Sequence, residues 1–440
     1  MLYLGEVTEG LEFIAADELK SRLRRDWVAM GGDSEMKVDA GPPPEESHEW
    51  VDTLAISAIR ARTAFLGGLL TVETVFVFLD HIVGLPQDES GLDAIEHHVR
   101  DRLDAAKWDQ ALHVWTRHFR ELGRATSSTS TDEADIVDHA EAAADADTTA
   151  LSSSTSFAPQ FRCSCRRRGE QMWQSHAVAG AVGAGMVDRF PNWKVSLKTY
   201  ELEVYVNVIK ADMILGVSLS HRPTDGNSNY AGHPGGRKKR RRQKGFVTLL
   251  GKTALSPTIA NSLILLADIK PGQVVLDPFC GVGTLPIHAA AIEPGAIVIG
   301  ADRAKSEVNK TVNNLQLYNE RVAPRCPWVD IVQWDVRRLP IRSSFVDVVI
   351  SDLPFGVRSG STKSNHVLYP LALKELARVT KLQGKALLIT ADDDLMTNVV
   401  AKATHLWRTV QTHSFLMGLN EMRITLYVLE RCDSTEPPAQ

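Results

Sequence analysis

From residue 246 onward, apolar residues fall into short continuous runs, each followed by a stretch with helical spacing. "VVLD" leads into "GTLPIHAAA" and "AIVIGAD" into "KSEVNKTVNNLQLY"; "VDIVQWD" and "VDVVISD" follow, and "PLALKELARVT" precedes "KALLITAD". Runs of this length, apolar throughout rather than alternating, belong to strands covered on both faces by crossover helices. The rhythm therefore predicts βαβ units and a doubly wound parallel sheet, an α/β fold. A last apolar strand is predicted at "MRITLYVLERC".

Upstream the pattern is different. "EGLEFIAADELKSRL" has helical spacing with acids early and bases late, as a helix macrodipole favours. "FLGGLLTVETVFVFLDHIVGLP" passes into a β-rich run, and "GLDAIEHHVRDRLDAAKWDQAL" reads as one amphipathic helix. "YELEVYVNVIKADMILGVSLS" reads as a hairpin turning at "KADM". Residues 1–125 thus form an α+β region, which resumes over 158–222. Between them, 126–157 holds seven acids, no lysine or arginine and many serines and threonines, and is predicted to be a disordered insertion, because so few apolar side chains cannot offset its ordering entropy. A glycine-rich basic loop occupies 223–245, the α/β region 246–432 and a short tail 433–440.

Composition narrows the function classes. The 440 residues are 44% hydrophobic, enough for two or three cores. The net charge of −5 announces no nucleic-acid binder, but it is unevenly spread. Over 158–245, sixteen basic residues face six acidic ones, and "GRKKRRRQKG" carries six consecutive bases. Arg166, Arg167 and Arg168, with Arg237, Lys238, Lys239 and Arg240, are the candidate phosphate contacts; a solvated loop and a nuclear-import signal are the alternative readings of the basic block. Five scattered cysteines suit a reducing compartment, and the Cys163/Cys165 spacing is poor for zinc, so no metal site is expected. No leader is legible at the N-terminus, and no apolar run reaches the roughly 20 residues that span a bilayer. A soluble protein is expected, cytoplasmic and with the nucleus open to it.

The chemistry should lie where parallel strands end. Four successive runs there close on Asp277, Asp302, Asp335 and Asp352. Any one of them can be a turn or cap residue, but four together are hard to explain so. "DPFCGVGTL" places Gly281 and Gly283 in the first turn, without the third glycine of the dinucleotide fingerprint, and Asp302 follows Gly281 by 21 residues, where a carboxylate can accept ribose hydroxyls. A ribose-bearing cofactor is implied, and the absence of a Gly-x-x-x-x-Gly-Lys-Ser/Thr loop speaks against nucleoside triphosphate hydrolysis.

"VVLDPFCGVGTL", "GADR", "VQWDVRRLP" and "SDLPFGVR" together resemble a class I, Rossmann-like S-adenosylmethionine-dependent methyltransferase domain of the group that modifies exocyclic base amines. With "GRKKRRRQKGFVTLLGKTALSPTIANSLILLA", "NHVLYPLALKELARVTKLQGKALLITAD" and "GLEFIAADELK", the chain resembles the eukaryotic THUMP-domain-containing tRNA guanine-N2 methyltransferases. The resemblance implies a THUMP-type RNA-binding region in the N-terminal half and S-adenosylmethionine as cofactor. It implies Asp277, Gly281 and Gly283 at the methionine end, Asp302 at the ribose, Asp335 at the adenine amino group, Arg303 and Val336 among the cofactor-binding residues, and Thr253 and Leu255 closing over the cofactor. Asp352, Leu353, Pro354 and Phe355 become the catalytic element. Asp352 and the carbonyl of Leu353 or Pro354 would accept the amine hydrogens, Pro354 would stiffen the turn, and Phe355 would stack on a flipped-out base. Arg358 would touch the target nucleotide. The expected partners are tRNA, with N2-methylguanosine formed at position 6 of the acceptor stem, and a small zinc-binding activator subunit that adds a strand to the sheet. The alternatives are another exocyclic amine, as in small nuclear RNA, DNA adenine or a protein glutamine, and a non-catalytic RNA-binding protein with a relict domain.

Overall fold

The computed structural model describes residues 3–7, 11, 14–15, 17–18, 39–41, 53–57, 72–88, 90–127, 158–168, 172–198, 200–219, 254–321, 328–355, 362–417 and 422–433. They fall into two compact units: the described parts of Met1–Gly5, Gly32–Leu69 and Thr74–Lys238 make the first, and those of Glu6–Gly31, Leu70–Glu73 and Lys239–Gln440 the second. The acidic insertion, apart from Thr126 and Ser127, lies outside the described residues, as do the basic loop, Thr253 and Arg358.

The first unit is built on an eight-stranded sheet. Its strands are β1 (Tyr3–Val7), β2 (Asp39–Gly41), β3 (Thr53–Ser57), β4 (Val72–Ile82), β5 (Gln160–Arg168), β6 (Lys194–Val195), β7 (Leu202–Ile209) and β8 (Asp212–Ser218), in the order β2-β3-β1-β4-β8-β7-β5-β6. The expected hairpin is β7 and β8, antiparallel from Val204↔Val217 to Ile209↔Asp212. The helix expected from "GLDAIEHHVRDRLDAAKWDQAL" is in fact two. Helix α1 (Ser90–His97) runs into a π turn at His98–Arg102, Leu103 turns to an extended conformation, and α2 (Ala105–Ser127) starts afresh. The reason is local: the Asp104 carboxylate accepts the Ala106 N–H at 2.8 Å, satisfying a donor at the start of a new helix. Helix α3 (Ser175–Arg189) completes the unit, and its aromatic core stacks Phe190 on Trp193 at 4.5 Å, with Trp108 and Phe161 packed against Trp193.

The second unit is the predicted doubly wound sheet. Strands β9 (Val274–Asp277), β10 (Ile297–Asp302), β11 (Val329–Gln333), β12 (Val346–Asp352), β13 (Thr380–Thr390), β14 (Trp407–Met417) and β15 (Met422–Arg431) are ordered β11-β10-β9-β12-β13-β15-β14. The first five are mutually parallel, while β15 runs antiparallel to both β13 and β14. Helices α4 (Pro257–Ala267), α5 (Thr284–Ile292), α6 (Lys305–Arg321), α7 (Thr362–Val379) and α8 (Asp393–Lys402) link the strands. One apolar cluster collects Leu276, Val349, Leu376 and Leu388, and another collects Ile259, Val275, Ile350 and Leu426. Leu11 and Ile14, which the sequence groups with the N-terminal region, are buried in the second of these clusters instead. The chain reverses its order across the sheet between β9 and β12, so the crevice at their carboxyl ends is the place where a ligand binds in such a fold.

Candidate active site at the strand ends

Asp277 ends β9 and is 3% exposed. Its Oδ1 accepts the Ser351 hydroxyl at 2.6 Å and the Phe279 N–H at 3.1 Å. Burial dominates its titration: the carboxyl is pushed up to about 7, against the pull of those two donors. Asp352 ends the adjacent strand β12, one residue beyond Ser351. Its Oδ1 is closed off from solvent and has no hydrogen-bond partner among the described residues. Burial, helped by the charge of Asp277, holds its carboxyl well above the usual range. An unpaired buried acceptor is costly in a fold with nothing to bind, so it marks a place for an incoming donor.

The element that follows divides its work unequally. Leu353 is 3% exposed and donates its N–H to Ile389 O at 3.0 Å, and its own carbonyl has no partner among the described residues. The Pro354 carbonyl accepts both Asn365 Nδ2 at 2.6 Å and the Tyr369 hydroxyl at 3.0 Å. Two donors fill its two lone pairs. Of the two carbonyls the sequence offers as second acceptor, that of Leu353 is therefore the one left without a donor among the described residues. Phe355 is half-buried, with part of its ring on the apolar cluster.

The glycine turn after β9 is shaped from two sides. Gly281 has φ +54 and would carry a Cβ into open space, its nearest neighbour being Phe279 O at 4.0 Å, so backbone is bared there. Gly283 has φ +87, and a Cβ would meet Thr311 Cγ2 at 2.4 Å. Helix α6 approaches closely because it grips the turn: Thr311 Oγ1 donates to Gly281 O at 2.6 Å and Asn314 Nδ2 to Val282 O at 2.9 Å. Asp302 accepts the Gly281 N–H at 3.1 Å and the Ala304 N–H at 2.8 Å, one on each oxygen. Burial nevertheless raises its pKa. Each oxygen keeps a lone pair for a hydroxyl donor.

The remaining candidates stand differently. Asp335 lies two residues past β11, and Arg337 grips both its oxygens, at 3.0, 3.1 and 2.6 Å. That guanidinium holds its carboxyl below the usual range. Arg303 is exposed beside Asp302. Val336 and Leu255 are buried in the apolar clusters, so any contact they make is through packing. Cys280 is buried and its thiol is pushed up by burial, leaving it a small apolar residue of the turn. Ser351, Thr311, Asn314, Asn365 and Tyr369 are additions that sequence reasoning missed. The only trace of them is spacing, with Thr311/Asn314 at i, i+3 and Asn365/Tyr369 at i, i+4 on one helix face each.

In the first unit, β5 carries the arginine run. Among the described residues its ladder with β6 covers Gln160 and Phe161, and charged side chains beyond that point guard against wrong strand pairing. Arg167 does not face a free surface: its guanidinium donates to the Trp173 carbonyl and to Ser175 Oγ, tying β5 to the start of α3. Arg162 pairs with Glu203 at 2.9 Å and lies over the Tyr200 ring at 4.7 Å. Burial pushes the Cys163 and Cys165 thiols up to about 12, so both are held as neutral thiols on β5.

Comparison with known proteins identifies two domains in the chain. Residues 244–422 match the family model of the RMKL-like methyltransferase domain, and residues 130–218 that of the THUMP domain. The chain is 32% identical over 280 residues to the tRNA (guanine(6)-N(2))-methyltransferase THUMP3 of Homo sapiens, covering 62% of this chain and 51% of that protein. It is 29% identical over 235 residues to the U6 snRNA (guanine-N(2))-methyltransferase THUMPD2 of Bos taurus, covering 53% of this chain and 41% of that one. The chain thus spans about half the length of the curated relatives it matches. The crystal structure of TrmN from Thermus thermophilus shares its fold, with a TM-score of 0.60 at 20% identity over 98% of this chain and 100% of that one.

Proposed function

We propose that this chain, which joins a THUMP domain to a methyltransferase domain of the RMKL-like family, methylates the N2 amine of a guanine in tRNA, at position 6 of the acceptor stem. The observation that carries the reading is the pair of open acceptors at the end of β12, Asp352 Oδ1 and the Leu353 carbonyl, next to a half-buried phenylalanine. An exocyclic amine has two hydrogens to give and a flat ring to stack, and its lone pair is delocalised into that ring. Fixing both hydrogens on acceptors orients the lone pair and draws density toward nitrogen.

The crevice suits S-adenosylmethionine. The bare backbone at Gly281 accepts close approach, Asp302 has lone pairs left for ribose hydroxyls, and the buried Asp277 supplies negative charge near a cationic centre. When bound, that cofactor supplies an electrophilic methyl group on a sulfonium. Positioning carries most of the rate enhancement, because the amine becomes acidic only as the N–C bond forms. Asp352, already reluctant to ionise, is then placed to take the released proton.

The THUMP domain would grip the RNA by shape and phosphate rather than by base readout, which makes binding strongly salt-dependent. A small zinc-binding activator subunit fits the open edge at β11, which pairs only with β10 among the described residues and begins beside Trp328, 63% exposed. The test is incubation with labelled S-adenosylmethionine and unmodified tRNA transcripts, with and without that subunit, followed by nucleoside mass spectrometry. N2-methylguanosine mapped to position 6 supports the reading. The same nucleoside in U6 small nuclear RNA alone, or no product despite cofactor binding, sinks it.

A further inference from the structure

The Pro354 carbonyl is held by a chain of hydrogen bonds whose direction is forced. A carbonyl only accepts, so the amide atom of Asn365 that meets it is nitrogen, and the single hydroxyl hydrogen of Tyr369 points at it as well. Tyr369 must then accept from Thr390 Oγ1, 2.9 Å away, and Thr390 Oγ1 in turn accepts the Asp392 N–H at 2.9 Å. Helix α7 and the end of β13 are thus both tied to the residue that follows the open acceptor of Leu353.

Asn365 is fully buried, yet its Oδ1 has no partner among the described residues. A side chain kept only to fill space would not carry an unsatisfied buried oxygen, since an apolar residue of similar size would fit at lower cost. Tyr369 is 1% exposed, and its ring sits in an apolar cluster where phenylalanine would pack as well. In both residues the polar atom is what the fold retains, and in both it goes to Pro354.

We infer that Asn365 and Tyr369 are positioning residues: by saturating the Pro354 carbonyl they lock the turn so that the neighbouring Leu353 carbonyl and Asp352 Oδ1 are the two acceptors presented to the target amine. This rests on the methyltransferase reading above. The two residues touch neither methyl donor nor base, and act through the backbone of 353 and 354. Their effect belongs in kcat, because the latch sets the geometry of the reacting amine and not the grip on RNA.

The experiment is single-turnover and steady-state methyl transfer on a tRNA transcript by Tyr369→Phe, Asn365→Ala and Asn365→Asp, beside the unsubstituted chain. Tyr369→Phe is expected to lower kcat about tenfold, with KM for tRNA and for S-adenosylmethionine within about twofold and the thermal midpoint nearly unchanged. The Asn365 pair separates latch from filler. Asn365→Asp keeps the shape but turns an acceptor toward the Pro354 carbonyl, so it should be slower than Asn365→Ala; a filler role would make it the milder change. Unchanged kcat in Tyr369→Phe, a loss that follows KM or folded fraction, or Asp milder than Ala would each overturn the inference. If the unsubstituted chain makes no N2-methylguanosine, the functional reading itself has failed, and that outcome is visible in the control.

Discussion

The aspartates that close β9 and β12, on either side of the switch point, and those at the ends of the neighbouring β10 and β11 are one residue type at similar topological positions, yet they differ in chemistry. Asp277 and Asp352, on β9 and β12, are desolvated acids whose protons are held tightly, and one of them, Asp352, has an oxygen with no partner among the described residues. Asp302, which closes β10, and Asp335, two residues past β11, are engaged: the first by two backbone N–H groups, the second by the Arg337 guanidinium. What separates them is not identity or strand-end position but depth in the sheet. The middle of a doubly wound sheet is covered on both faces, so desolvation of an acid there outweighs even the two donors that Asp277 keeps. On the proposed function the central pair carries the chemistry and Asp302 meets the cofactor, while Asp335 comes to its expected place at the adenine already paired with Arg337.

The largest effect should come from Asp352→Asn, which keeps the shape but loses the charge that draws density toward the amine. Its kcat should fall about 100- to 1000-fold while cofactor affinity stays within about threefold, as rate and calorimetry would show. Asp277→Asn should act on stability. Because burial raises this acid's folded pKa to about 7 from 3.8, the folded chain binds a proton between these values that the unfolded chain does not. Stability from this group is therefore greatest at low pH, falls as pH rises toward about 7 and is level above it. The Asn variant should flatten that slope in thermal melts taken across the window. Asp302→Ala should weaken cofactor binding about tenfold with little change in kcat at saturation, since it loses a hydroxyl acceptor and two loop contacts. Asp335→Asn should be the smallest, within about twofold in every parameter, because exposed ion pairs contribute little. A large loss there would break the division between inner and outer acids.

Much of this fold is legible as pattern. β9, β10, β12 and the second half of β13 announce themselves because strands covered on both faces are mostly apolar, and the last strand does so for the same reason, whereas β11, "VDIVQ" at the sheet edge, is only partly buried. β14 does not: "WRTVQTHSFLM" has an exposed stretch from Arg408 to Thr412, so neither a continuous run nor a clean alternation marks it. The strand-end acids are legible as positions, since "VVLD", "IGAD" and "VISD" each end on one. Their environments are not, because burial is decided by residues far away in sequence, such as Ser351 for Asp277, 74 positions on. The latch on Pro354 is hidden for the same reason: Asn365 and Tyr369 look like ordinary polar and aromatic helix positions until the turn is seen beneath them. The run at 166–168 shows the converse, a charge cluster whose middle member, Arg167, turns out to hold β5 to the start of α3.

The central claim is that the two inner acids form one electrostatic unit, in which burial and, after it, the charge of Asp277 keep the Asp352 carboxyl high and thereby set the pH at which it becomes a competent acceptor. The most direct test is the pH dependence of the single-turnover methyl-transfer rate, between about pH 5 and about pH 9, in the unsubstituted chain and in Asp277→Asn. The account predicts a rate that rises with pH through a value above the usual carboxylate range, and a profile displaced to lower pH once the Asp277 charge is gone. A rate flat across the range, or a profile that Asp277→Asn leaves in place, would contradict it.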